Sequence, residues 1–170
     1  MIKQHPKIAD FRARAKAEIG TKEIVGSEHN PKVVGWFKDV GHGWVNDDET
    51  PWCAAFIGAM LKAAGLPHTG KLNARSYLKW GQDIPLADAK PGDIVVFWRI
   101  NPKSAYGHVG IYEYDTPDRI GVLSGNQRNA VRVDKYTTRR LLSVRRYPAP
   151  PAKGIAAFIA DILSFFGKRT

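Results

Sequence analysis

Residues 90–126 read "KPGDIVVFWRINPKSAYGHVGIYEYDTPDRIGVLSGN". The opening Lys-Pro-Gly-Asp is turn chemistry, and the run after it is apolar, β-branched and aromatic, the composition of a strand. The segments "GHVGIYEYD" and "RIGVLSGN" repeat that composition after breaks that carry Pro, Gly or Asn. "AVRVDKY" and "LLSVRRY" continue it at hairpin spacing. A series of antiparallel strands is predicted from residue 94 onward.

Upstream the period changes from two to 3.6. "KIADFRARAKAEI" (7–19) puts Ile8, Phe11, Ala15 and Ile19 on one helical face, with Gly20 as a stop. "GSEHNPKVVGWFKDVG" predicts a loop ending at Asn30 and a short helix with Pro31 at its first position. Residues 41–49 are rich in glycine and acid and read as loop. The next helix is expected to take Thr50 as its cap and Pro51 as its first residue, with apolar positions running to Gly65. "NARSYLKWG" adds one more short helix. Helices followed by antiparallel strands predict an α+β fold, the N-terminal helices packed on the sheet.

At 170 residues and 44% hydrophobic composition, the chain is long enough for one good core and too short for two comfortable ones. The globular unit is expected over 1–147. "PAPPAKG" (148–154) reads as a Pro-rich linker, and 155–170 as an amphipathic helix with an apolar stripe of Ile155, Phe158, Ile159, Ile162, Phe165 and Phe166. No run is long enough to span a membrane, and the N-terminal stretch carries charges throughout, unlike a secretory signal. Synthesis in the cytoplasm is expected. Net charge is +10, and residues 128–170 hold 10 Lys/Arg against 2 Asp/Glu. That basic end favours a polyanionic partner: nucleic acid, an anionic membrane or outer-membrane surface reached through the terminal helix, or a bacterial wall. No zinc-finger, RNA-recognition or helix-turn-helix pattern accompanies it.

Cys53 is the only cysteine, which excludes an internal disulfide and any multi-thiolate zinc site. Two readings stand side by side. Free cysteine is among the most buried residue types, and Ala, Phe and Ile surround this one. Yet a third helical position would set the thiol among unpaired N–H groups, at the positive end of the helix dipole. Four of the five histidines fall in loop-like sequence. His108 instead begins an apolar strand, either as a base on a rigid backbone or as a half-buried histidine with one nitrogen satisfied. Asn126 and Gln127 end the following strand, where an amide can orient an imidazole or simply form a turn. Asp47, Asp48 and Glu49 precede the cysteine helix and complement its dipole. Trp52, Trp98 and Tyr106 either wall a cleft or fill the core.

Together these segments resemble the CHAP and NlpC-type superfamily of papain-like cysteine peptidases and amidases that cut peptidoglycan. The likeness rests on "DDETPWC", "KPGDIVVF", "GHVGIY" and "GNQ" in this order, covers about residues 8–147, and is nearest to phage or prophage endolysin-like proteins. It implies a catalytic domain over 1–147 that cleaves an amide of the wall stem peptide without metal or other cofactor. Cys53 is then the nucleophile, His108 the general base and acid, and Asn126 the orienting residue, with Gln127 as the alternative or as an oxyanion donor. Asp47, Asp48, Glu49, Trp52, Trp98 and Tyr106 become candidate substrate contacts. The resemblance further implies a monomer acting at the wall after holin-dependent release. One departure stands out: many CHAP enzymes carry Glu two residues before the Asn, and Ser124 occupies that place here.

Overall fold

The computed structural model describes residues 2–151. Helix α1 spans Ile8–Ala17 and buries Ile8, Phe11 and Ala15; Ile19, expected on the same face, lies beyond the helix end and is half exposed. Gly20 follows at φ 97°, a left-handed conformation that ends the helix as predicted. Helix α2 covers Pro31–Asp39, its cap formed by the Asn30 side chain accepting from the Lys32 N–H, with Pro31 at the first position. Helix α3, Cys53–Ala63, is the central element, and every residue from Cys53 to Leu61 is buried. A 3-10 turn occupies Ala74–Lys79.

Six strands follow: β1 (Gln82–Ile84), β2 (Ile94–Trp98), β3 (Gly107–Asp115), β4 (Arg119–Gln127), β5 (Ala130–Thr137) and β6 (Leu141–Arg146). They form one antiparallel sheet in the order β1-β6-β2-β3-β4-β5. The fold is therefore α+β, as the change of period predicts. The short edge strand β1 was not legible, because three residues with only Ile84 buried carry no alternation to read.

The helices pack on one face of the sheet through Val96, Val109, Ile111 and Leu123. Val95, Phe97, Tyr112, Ile120, Val122 and Val144 form a second cluster, joined by Leu86, Tyr136 and Leu141. Gly125 sets the distance between β4 and the start of α3: a Cβ there would lie 2.2 Å from the Trp52 ring. Glycine is required at that point to let the strand meet the indole.

The first turn of α3 departs from expectation. Thr50 does not cap the helix, because its N–H and hydroxyl both donate to Asp47. Trp52 holds the cap position with no side-chain hydrogen bond, and Cys53 is the first helical residue rather than the third. At the other end of the described chain, Pro148 pairs with Gln4 and the Ala149 N–H donates to the Lys3 carbonyl. The first residues of the expected linker thus pack against the domain. The amphipathic helix expected at 155–170 lies outside the described residues.

Candidate active site

The uncapped start of α3 places the Cys53 sulfur among backbone donors. Burial pushes the thiol pKa up. The N–H groups of Val109, Ala54 and Cys53 itself oppose that shift, as does the positive charge of Arg99. Burial wins, so the resting group is a thiol. Val109 is the residue after His108, and this contact brings the start of β3 against the cysteine.

His108 is fully buried and pairs across the sheet with Phe97. Its ring stacks on Tyr136 at 5.0 Å between centroids and 6° between planes; Tyr136 in turn stacks on Phe97. Neither ring nitrogen has a hydrogen-bond partner among the described residues. Burial, reinforced by Arg99, lowers the imidazole pKa to about 3, while the interaction with Gln127 works against that shift. Burial thus favours the uncharged form of both the thiol and the imidazole.

This state has a consequence for stability. The folded chain holds His108 neutral, whereas in the unfolded chain the ring takes up a proton near its ordinary value of about 6.5. The unfolded state then binds the extra proton, so stability is lost as pH falls from about 6.5 toward 4. Relative to His108→Gln, the wild type is expected to lose up to about 1.4 kcal/mol per pH unit in that window, measured by urea unfolding at each pH. A flat difference would instead mean that folded His108 binds a proton while Cys53 keeps its own.

Of the two candidate amides, Gln127 is the one set against the ring. Its Nε2 faces three backbone carbonyls, donating to Val122 at 3.1 Å, to Ser124 at 3.3 Å and also to Arg132. Carbonyls only accept, so the amide must turn its nitrogen to them and leave Oε1 free. Oε1 is buried and has no partner among the described residues. An acceptor oriented in this way suits an imidazole N–H. Asn126 sits at the irregularity where the pairing of β4 with β5 shifts between Ser124 and Gln127, with φ 54°, and it is only half-buried. The shift breaks the alternation of faces that strand spacing predicts. Ser124, in the place where a Glu was noted as common, is buried and donates through Oγ to the Val109 carbonyl at 2.6 Å. It braces the backbone beside His108.

The remaining candidates fall into different places. Asp47 organises the loop before α3, and its bonds from Thr50 hold its carboxyl below the usual range. Asp48 is fully buried. Burial alone would raise its pKa, but the N–H groups of Asn30 and Ile24 and the His29 ring hold it low. Trp52 is also fully buried, its indole N–H donating to Glu23. Asp48 and Trp52 therefore offer a substrate no surface. Glu49 is exposed, and Trp98 packs under the Arg140 guanidinium. Tyr106, by contrast, is exposed and lines a cleft of about 310 Å³ that also reaches Thr50, Cys53, Asn73 and Gly107. Arg99 and Tyr136 are the neighbours that sequence reasoning missed. Each comes from a strand end or edge whose pattern carries no sign of the site.

Residues 45–126, just under half of the chain, match the family model of the CHAP domain. No curated protein matches in sequence. Among solved structures, a hypothetical invasion protein of Mycobacterium tuberculosis superposes with a TM-score of 0.53 at 18% identity, over 85% of this chain and 63% of that one. The resuscitation promoting factor interacting protein RipA, mutated at a cysteine, gives the same values. A protein similar to lipoprotein, of the NLP/P60 family, from Staphylococcus aureus gives 0.50 at 15% identity, over 86% of this chain and 43% of that one. This chain thus spans less than two thirds of these proteins, and at such identities the likeness is one of fold. The matched segment contains Cys53 and His108, so the chain is similar to the CHAP domain over residues 45–126, and its sheet and helices share the papain-like fold of the NlpC/P60 structures.

Proposed function

We propose that the protein is a peptidoglycan hydrolase with endolysin-like activity, cleaving an amide of the bacterial stem peptide with Cys53 as nucleophile. The observation that carries this reading is a set of three features, two of them within the CHAP match and the third at the residue that follows it. A cleft-lining thiol sits at an uncapped helix start, a buried imidazole lies on the strand that touches it, and an amide oxygen is left free for that ring.

His108 takes the thiol proton as Cys53 attacks the amide carbonyl, and a C–S bond forms. The Cys53 N–H, free of any cap, stabilises the developing oxyanion. The imidazolium then protonates the leaving amine as the C–N bond breaks, which leaves a thioester. His108 next removes a proton from water, whose oxygen displaces the sulfur to give a carboxylate and the restored thiol. Gln127 Oε1, unpaired at rest, accepts from the imidazolium N–H that forms during the reaction. The neutral resting state agrees with this sequence of proton transfers, since the imidazole must begin as a base.

Digestion of purified sacculi, with mass spectrometry of the soluble products, tests the reading. New amine and carboxyl ends at one stem-peptide amide are the expected result, and intact sacculi after prolonged incubation would overturn it. The amide assignment makes a separate prediction. Gln127→Ala is expected to reduce kcat by about 10- to 100-fold and Asn126→Ala by less than about threefold. Gln127→Glu, which keeps an acceptor, should recover part of the loss. A reversed order of the two alanine variants would return the role to Asn126.

A further inference from the structure

The cysteine cleft does not end at Asn73. That residue also lines a second, larger hollow of about 600 Å³, formed along the 3-10 turn by His68, Lys71, Arg75, Ser76, Lys79 and Trp80. Arg75 joins the two spaces. Its side-chain stem lies beside Gly107, where a Cβ would come within 3.3 Å of it, and Gly107 lines the cysteine cleft.

The lining has a definite charge. It holds three cations, Lys71, Arg75 and Lys79, and no carboxylate. Lys71 and Lys79 are exposed and make no ion pair among the described residues. Arg75 is anchored by its Nη2 donating to the Pro102 carbonyl at 2.8 Å, while its buried Nε has no partner among the described residues. The His68 Nδ1 accepts from the Gly70 N–H, so a neutral ring carries its proton on Nε2 as a further donor. Trp80 supplies a fixed apolar wall, its indole N–H held by the Pro67 carbonyl at 2.7 Å. Donors and positive charge surrounding a hollow without an acid make a carboxylate receptor.

Resting on the hydrolase reading, we propose that this hollow binds the C-terminal carboxylate of the peptide substrate while the scissile amide lies at Cys53. Six residues of 3-10 helix rise about 12 Å. That is the reach of three to four extended peptide residues. The enzyme is therefore selective for acidic peptides whose carboxylate stands a few residues from the bond cut.

The test separates this subsite from the chemistry. Binding of a synthetic stem tetrapeptide with a free C-terminal carboxylate, and of its C-terminal amide, is measured by calorimetry on the full-length Cys53→Ala chain. The acid is expected to bind about tenfold more tightly than the amide. Lys71→Gln combined with Lys79→Gln, both at exposed positions, should erase that difference while leaving the affinity for the amide unchanged. With the cysteine intact, the same double change should raise KM for the acid about tenfold and leave kcat within about twofold. Equal binding of acid and amide, or a preference that survives the lysine changes, overturns the subsite even if sacculi are digested. Tighter binding of a glycerol phosphate oligomer at the same lysines overturns it in favour of a polyphosphate ligand. Selective binding of the acid without hydrolysis by the wild type would keep the subsite and reject the hydrolase.

Discussion

Cys53→Ala is expected to lower the rate of peptidoglycan hydrolysis by at least about a thousandfold, to the background of the assay. The fold should survive. Alanine is the best helix former, and the site is buried between Trp52 and a run of small and apolar residues. The lost sulfur should cost about 1 kcal/mol of stability. His108→Ala is expected to fall to a similar rate, and the double variant to be no worse than either, because the two groups act in one proton transfer. Release of muropeptides from purified sacculi checks the rates, and circular dichroism with urea unfolding checks the fold. A folded Cys53→Ala protein that works at the wild-type rate would remove the thiol from the mechanism.

The largest effect on stability is expected at Asp93, far from that chemistry. Asp93 and Arg146 are both fully buried and bond twice, Nε to Oδ1 at 3.0 Å and Nη2 to Oδ2 at 2.6 Å. The carboxylate also accepts from the Gln4 amide and the Lys90 N–H, and the guanidinium donates to the carbonyls of Ile2 and Asp88. The pair thus ties the N-terminal segment, the turn before β2 and the end of β6 into one network. Asp93→Ala strands a buried guanidinium charge and is expected to cost about 3–5 kcal/mol. Arg146→Met added to it should restore part of that loss, since an apolar side chain needs no partner. Urea unfolding at neutral pH measures both. A loss below about 1 kcal/mol in the single variant would show that the charge finds water or another partner.

The sequence by itself determined the order and type of the main elements, because periods of 3.6 and 2 and turn residues such as Pro91 and Gly92 act over a few neighbours. It also singled out Cys53 and His108, since a lone thiol and a strand-borne imidazole are scarce chemistry in this chain. Tertiary structure decided what depends on partners far along the chain. Asp47 takes the Thr50 hydroxyl and moves the start of α3 to Cys53. The shifted pairing of β4 with β5 changes which amide faces the ring, so counting alternate residues from Leu123 could not separate Asn126 from Gln127. The sequence left Asp48 and Trp52 open as substrate contacts beside the candidate nucleophile, and contacts with Asn30 and Glu23 fold them inside. The Asp93–Arg146 pair joins residues 53 positions apart. Such pairings exist only once the sheet has closed, because desolvation and hydrogen-bond satisfaction are properties of the packed chain and not of any local segment.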